Sequence, residues 1–448
     1  MSKSYPGFLR TMLSLAIPVT LQNLLFSSFT LVDTLMIGRL GDTQLAAVGM
    51  AGKWSWFLSI VFFGCASGAG VFIAQYFGAG NTKGIHRTYG LMTILTLLAS
   101  AVFMLAGVIA PQAIVSMFTS DPEAIRYGAS YLRIIALCYP FQAISRSGSM
   151  LLQSTQKPTI PFIGAACSVA ANVVLNALLI FGLCGFPALG VEGAAIATAL
   201  SAVLNTVVIY FIGLRQRTLL CASVSDMLDI RGGFVKDYLR IAAPTLFNET
   251  TWSLGILVYS AIFGHMSTEA YAAVTVVRSI EDLMCVAIFG MGASCAAMIG
   301  SLIGRGEIDR AKYCAKAHLV FVEVLSVVIG VVVLLLRGPI IALFGVSESV
   351  GADAAVILAI YASVMWLRNI PYMLVVGIFR AGGDTKYALY VDFAAAYLLG
   401  IPLTALSGLV FHWSLPVTYL IMYVLEDILK VFLYGTHYLS GKWIKPVV

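Results

Sequence analysis

The chain has 448 residues, of which 60% are hydrophobic and 11% charged, with a formal net charge of +6 and a mean hydropathy of +0.94. Soluble domains carry about 25% charged residues, so the composition excludes an ordinary soluble protein and reads as an all-α polytopic membrane protein embedded in a lipid bilayer. A β-barrel would show short alternating segments and is excluded, and the basic excess lies in short loops, an orientation signal rather than a sign of nucleic-acid binding.

Apolar runs long enough to cross a hydrocarbon core of about 30 Å recur from end to end and predict about twelve spans. They lie at 12–37, 45–77, 88–111, 124–152, 160–182, 190–214, 241–263, 271–303, 313–336, 350–380, 387–410 and 416–437. The first run, from Met12 to Ile37, is too long for a signal peptide, carries Asp33 and lacks a small-residue cleavage pattern. It is expected to be a retained span.

Residue n and residue n+226 match without a gap over a long stretch of both halves. Pro18 pairs with Pro244, Gly38 with Gly264, Ala46-Ala47-Val48 with Ala272-Ala273-Val274, Gly64 with Gly290, and Gly80 with Gly306. One register held through greasy sequence implies two helical bundles of one design, and transporters commonly place substrate between such halves. The expected division is an N-terminal six-helix lobe over 1–214, a linker over 215–240 and a C-terminal six-helix lobe over 241–448. An even number of spans per half gives both lobes one orientation.

The loops alternate in character. Lys83 and Arg87 follow the second span, and Arg215, Arg217, Arg231, Lys236 and Arg240 fill the linker. Arg305, Arg310, Lys312 and Lys316 follow the eighth span, and Lys442 and Lys445 lie in the tail. The intervening loops are nearly neutral. The positive-inside rule then places both termini and the linker in the cytoplasm, the chain being a multi-pass protein of the cell membrane.

Inside the first span of each half stands a proline, Pro18 and Pro244. Proline removes a helical hydrogen bond and can kink the helix, so each is a candidate hinge, a static kink being the other reading. Ionisable groups in lipid are costly, which makes each one a functional candidate. Asp33 in the first span is read as a cation-binding carboxylate or as a helix-end group reaching water. Asn172 and Asn176 in the fifth span are spaced i, i+4 and share a face. There they can help coordinate a cation or hold helices together.

Glu249 in the seventh span has no basic residue within i±4. It must be protonated, paired from another helix or in water, and it ranks first among the cation-coupling candidates. Arg278 and Asp282 form an i, i+4 pair in the eighth span, read as structural, beside Glu281. Asp392 in the eleventh span is a further coupling candidate, and Glu426 with Lys430 in the last span reads as a structural i, i+4 pair. Tyr259 and Trp252 are candidates for the substrate lining, since aromatic faces suit organic cations.

Eight cysteines include no CxxC or Cys/His cluster, and five histidines show no ligand spacing, so no resident metal is expected. There is no Walker A loop, GxSxG or HExxH. An enzyme is therefore not expected, nor an ATP-driven pump, and uphill transport would draw on an ion gradient.

Several stretches together resemble one family, the multidrug and toxic compound extrusion (MATE) transporters. They are Pro18 with Val32-Asp33-Thr34-Leu35-Met36-Ile37-Gly38-Arg39-Leu40-Gly41, then Gln75-Tyr76-Phe77-Gly78-Ala79-Gly80, and Gly190-Val191-Glu192-Gly193-Ala194-Ala195-Ile196-Ala197-Thr198. Arg380-Ala381-Gly382-Gly383-Asp384-Thr385 and Ser440-Gly441-Lys442-Trp443 complete the set. The resemblance implies two six-helix lobes around a central cavity. It implies an antiporter that exports amphipathic, often cationic, drugs or toxic organic compounds in exchange for H+ or Na+, with no other cofactor and as a monomer. Asp33 looks like the family's first-helix carboxylate, with Asn172, Asn176 and Thr198 completing an N-lobe polar site. Where members with a well-formed Na+ site carry Asp, this chain has Asn176, one ligand charge fewer. Glu249 looks like the seventh-helix Glu of members whose cation site lies in the C-lobe. Na+ would sit transiently at Asp33 or Glu249, and Asp384 is a further coupling candidate. A lipid-linked precursor flippase of the same broader superfamily and a metabolite carrier are the alternatives.

Overall fold

Each predicted run becomes helix in the computed structural model, which describes residues 7–230 and 232–447. Arg231, counted above among the linker's basic residues, and the outermost residues of both ends lie outside the described residues. Among the described residues there is no strand. Nine helices among them are long and apolar enough to cross a membrane. The first is Phe8–Gly38, the second Asp42–Gly78, the third Thr82–Ile109, the fifth Thr159–Phe181 and the sixth Val191–Arg215. The eighth is Thr268–Gly304, the ninth Ile308–Ala342, the tenth Glu348–Gly382 and the eleventh Thr385–Val410.

Three more charged segments complete six in each half: a fourth made of Pro122–Ala136 and Tyr139–Ser154, a seventh, Gly232–Met266, and a twelfth, Leu415–Leu439. The fourth was expected as one span. It breaks between Ala136 and Tyr139 because Pro140 opens the second piece, where a missing N–H costs nothing. The tenth helix passes Pro371 and then runs π-helical over Met373–Phe379. The eleventh does the same over Ala394–Gly400 and Leu406–Val410. A π turn holds an extra residue and so rotates the following face by about 100°. Arg380 follows the first of these stretches and Asp392 precedes the second.

Contacts divide the chain into two units, one of 1–20 with 243–448 and one of 21–242. The sequence division cuts instead at the linker. The difference lies in the first and seventh helices, each of which serves both units and changes unit beside its proline, Pro18 and Pro244.

In the unit built on 21–242, the start of the seventh helix packs on the second. Tyr238 Oη donates to the Cys65 carbonyl at 2.8 Å, and a Cβ on Gly68 would collide with Ala242. In the unit built on 243–448, the start of the first helix packs on the eighth. Ser294 Oγ donates to the Met12 carbonyl at 3.1 Å, and a Cβ on Gly290 would collide with Thr20 and Ala16. Small residues thus permit the same close approach in each unit, as they do between membrane helices in general.

The linker is not slack. Its short helix Val224–Leu228 lies on the third helix, where Gly90 leaves room for the Met227 carbonyl and buried His86 faces Asp226 at 3.6 Å. Gly90→Ala is therefore expected to lift this helix, since overpacking costs about 1–3 kcal/mol. Limited trypsin digestion checks it. Cleavage at Arg215 and Arg217 should accelerate while the remainder of the chain stays protected, and an unchanged rate would show that the docking does not depend on this contact.

Candidate functional site

Two polar clusters form, one in each unit. In the 21–242 unit the fifth helix turns Asn172 and Asn176 to one face, as their spacing requires. Asn176 Nδ2 donates to Asp33 Oδ1 and to Asn172 Oδ1, both at 2.8 Å. Asn172 Nδ2 donates to Thr198 Oγ1 of the sixth helix at 3.3 Å. All four residues of the expected N-lobe site are thus joined, although Asp33 and Asn176 stand 143 positions apart. Both asparagines are buried. Asn176 Oδ1 is buried without a hydrogen-bond partner, and an unsatisfied buried acceptor costs about 1–3 kcal/mol. The cluster offers one carboxylate, amide oxygens and a hydroxyl, the hard oxygen donors that suit Na+ or a proton.

In the 243–448 unit the partner of Glu249 comes from another helix. Arg380 Nη2 donates to Glu249 Oε1 at 2.5 Å and to Asn248 Oδ1 at 3.0 Å. Asn248 Nδ2 donates to Asp392 Oδ2 at 2.7 Å. The other oxygen of Asp392 lies 3.1 Å from Lys430 Nζ, which also donates to Glu426 Oε1 at 2.6 Å. Tyr259 Oη closes the chain by donating to Glu426 Oε2 at 2.5 Å. Gly400 makes this last bond possible, since a Cβ there would collide with the tyrosine hydroxyl. Seventh, tenth, eleventh and twelfth helices therefore meet through one run of hydrogen bonds and ion pairs, in which the neutral amide of Asn248 links Arg380 to Asp392. Arg380 is 4% exposed, and buried ions are tolerated only when paired and hydrogen-bonded.

Tyr259 and Trp252 line a cleft in this unit together with Asp392, Glu426, Lys430 and two arginines, Arg278 and Arg368. Its empty volume is about 550 Å³, the open mouth included. The expected pairing of Arg278 with Asp282 is not made among the described residues; Arg278 turns to the cleft and Asp282 is exposed. The expected pairing of Glu426 with Lys430 is made, and it belongs to the charged chain rather than standing alone.

Asp384, expected among the coupling carboxylates, is engaged elsewhere. It takes a hydrogen bond from His437 Nε2 at 2.8 Å and an ion pair from Lys445 Nζ at 2.9 Å. The tail crosses here because Gly382 and Gly383 have no side chains; a Cβ on either would meet the carbonyls of Trp443 and Lys445. The motif Arg380-Ala381-Gly382-Gly383-Asp384-Thr385 thus sends Arg380 into the charged chain and uses its remainder to hold the C-terminal tail. Arg380, Asn248 and Arg368 were not singled out from the sequence. For Glu249 the sequence left protonation, pairing from another helix and contact with water open; the structure shows pairing, with a partner 131 positions away.

A family model described as MatE matches residues 18–178 and 244–406. Each matched stretch opens on one of the paired prolines. The protein from Thermotoga maritima called "Probable multidrug resistance protein NorM" is 23% identical over 456 aligned residues, covering 99% of this chain and 95% of its own length. "Multidrug resistance protein MdtK" of Yersinia pseudotuberculosis is 25% identical, covering 89% of this chain and 88% of its own. The crystal structure of a variant of the Vibrio cholerae MATE transporter VcmN shares the fold with a TM-score of 0.89 at 19% identity, over 99% of this chain and 98% of that one.

Proposed function

The chain belongs to the MatE family of multi-pass membrane transporters, and we propose that it is a secondary antiporter exporting amphipathic organic compounds, cationic ones among them, in exchange for H+ or Na+. The observation that carries this reading is the unbroken chain from Glu249 to the cleft. At one end stands a carboxylate whose oxygen holds Arg380. At the other, Tyr259 and Glu426 border the cleft that this reading assigns to the substrate.

A cation arriving at Glu249 competes with Arg380 for the same oxygen. Arg380, released, keeps Asn248, which in turn holds Asp392. Occupancy at Glu249 is thereby felt at the cleft, and cation and substrate affect one another's affinity as a linked pair. The Asp33 cluster is the second coupling site of this scheme, with one carboxylate and neutral oxygens. Pro18 and Pro244 serve as hinges where their helices pass from one unit to the other. The protein works as a monomer in the cell membrane, both termini and the linker cytoplasmic, and needs nothing beyond the coupling ion. The names of the relatives, which speak of multidrug resistance, support the substrate class.

Efflux of ethidium from proteoliposomes under separately imposed pH and Na+ gradients tests the scheme. Efflux driven by either gradient is expected, and the gradient that drives it names the ion. Efflux under neither would overturn the proposal.

A further inference from the structure

The cleft of the 243–448 unit is not the acidic cavity that export of simple cations would favour. Arg278, Arg368 and Lys430 line it against only two carboxylates, Asp392 and Glu426. Both carboxylates are already occupied. Each holds Lys430 through one oxygen, and the other oxygen takes a neutral donor, Asn248 Nδ2 for Asp392 and Tyr259 Oη for Glu426.

The two guanidiniums are in a different position. Arg278 makes no hydrogen bond or ion pair among the described residues. Arg368 forms a long ion pair with Asp427 Oδ2 at 3.7 Å, beyond hydrogen-bonding distance, and lies 4.4 Å over the Tyr423 ring. A guanidinium carries five N–H donors, and neither arginine gives one to a hydrogen bond among the described residues. None of their nitrogens is among the buried atoms lacking a partner. The unused donors therefore reach open space. Three nearby acids do not line the cleft: Asp282, one turn along the helix from Arg278, is exposed and makes no ion pair with it among the described residues, and two stand behind this wall. Glu281 is buried and accepts from Tyr419 and Tyr423, and Asp427 is buried with Arg368 beside it.

We propose that this cleft binds the anionic oxyacid group, carboxylate or phosphate, of an aromatic organic substrate, with Arg278 and Arg368 as the recognising pair. A planar guanidinium matches a carboxylate or phosphate through two parallel hydrogen bonds. Trp252, Tyr259 and Tyr423 supply faces for the aromatic body. The Glu426–Lys430–Asp392 run beside them accepts a cationic end, so the favoured class is amphoteric. The inference rests on the exporter reading for the fate of the substrate and on the cleft alone for its binding.

The test uses purified full-length protein and two dyes read by fluorescence anisotropy: rhodamine B, which carries a free carboxylate, and its ethyl ester, which does not. The free acid is expected to bind about tenfold more tightly than the ester, the worth of a hydrogen bond to a charged group. Arg278→Gln should abolish this preference, so that the two dyes bind the variant alike. Arg278 gives no hydrogen bond among the described residues that the substitution would break, and size-exclusion chromatography checks that the variant folds. Arg368→Lys keeps the charge but not the fork and should weaken the preference. Benzoate and phenyl phosphate, added as competitors, show which oxyacid the pair favours.

Equal affinities, tighter binding of the ester, no binding of the free acid, or a preference unchanged in Arg278→Gln would each overturn the proposal. The exporter reading fails differently. Neither dye would then leave proteoliposomes under a pH or Na+ gradient, even with the binding preference intact.

Discussion

Replacing Arg380 by methionine is expected to lower the yield of folded protein and to abolish gradient-driven export. The guanidinium is almost fully buried and donates to both Glu249 and Asn248. Removing it leaves the Glu249 carboxylate without its cation, and breaking one side of a buried pair costs about 3–5 kcal/mol. Glu249→Gln is the milder change. Arg380 keeps the Asn248 oxygen and finds the amide oxygen of the new side chain, so the loss should be about 1–3 kcal/mol, while the charge that a cation would claim is gone. The double variant with both changes is expected to regain thermal stability over Arg380→Met and still not export. Melting followed by size-exclusion chromatography reads the stability, and ethidium efflux from proteoliposomes reads the transport. Wild-type export by Glu249→Gln, with unchanged dependence on pH and Na+, would make Glu249 structural and move the coupling role to Asp33 or Asp392.

Asp33→Asn should act on transport alone. Asp33 supplies the one carboxylate of the cluster with Asn172, Asn176 and Thr198, and the Asn176 amide can donate to an amide oxygen as it does to the carboxylate. The fold should therefore melt as the wild type does. Removal of the charge should lower export by about tenfold, because hard-cation affinity follows the charge of its oxygen ligands. Asn176→Asp makes the opposite change at the neighbouring position and should strengthen the response to Na+. Efflux rates titrated against Na+ at constant pH distinguish the two variants. If Asp33→Asn exports normally under both gradients, the N-lobe cluster holds helices together and does nothing more.

How far the sites could be read beforehand depended on distance along the chain. Asn172 and Asn176 share a face by helical period alone, and the structure keeps them there. That Asp33 joins them could not be derived from spacing; the family resemblance supplied it. For Glu249 it was legible that the carboxylate must be protonated, paired from another helix or in water, since an unpaired carboxylate in lipid is expensive, but that Arg380 pairs with it was not. The pairing of Arg278 with Asp282 failed for an instructive reason. The i, i+4 rule describes side chains that face common solvent, and Arg278 instead faces a cleft that it shares with Arg368, Asp392, Glu426 and Lys430. The fourth segment was read as one span because hydropathy runs through it, and its break at Pro140 came from the structure.

Hydropathy and residue period by themselves determined the helical class, the span positions, the doubled design and the residues that must be functional or paired, because each is a property of a local window or of a repeat within the chain. The tertiary structure alone decided which charges meet. Glu249, Arg380, Asp392, Lys430 and Glu426 form one chain because the seventh, tenth, eleventh and twelfth helices lie side by side and π-helical turns adjoin Arg380 and Asp392. Ion pairs are short-range contacts between groups far apart in sequence, and only packing brings them within reach.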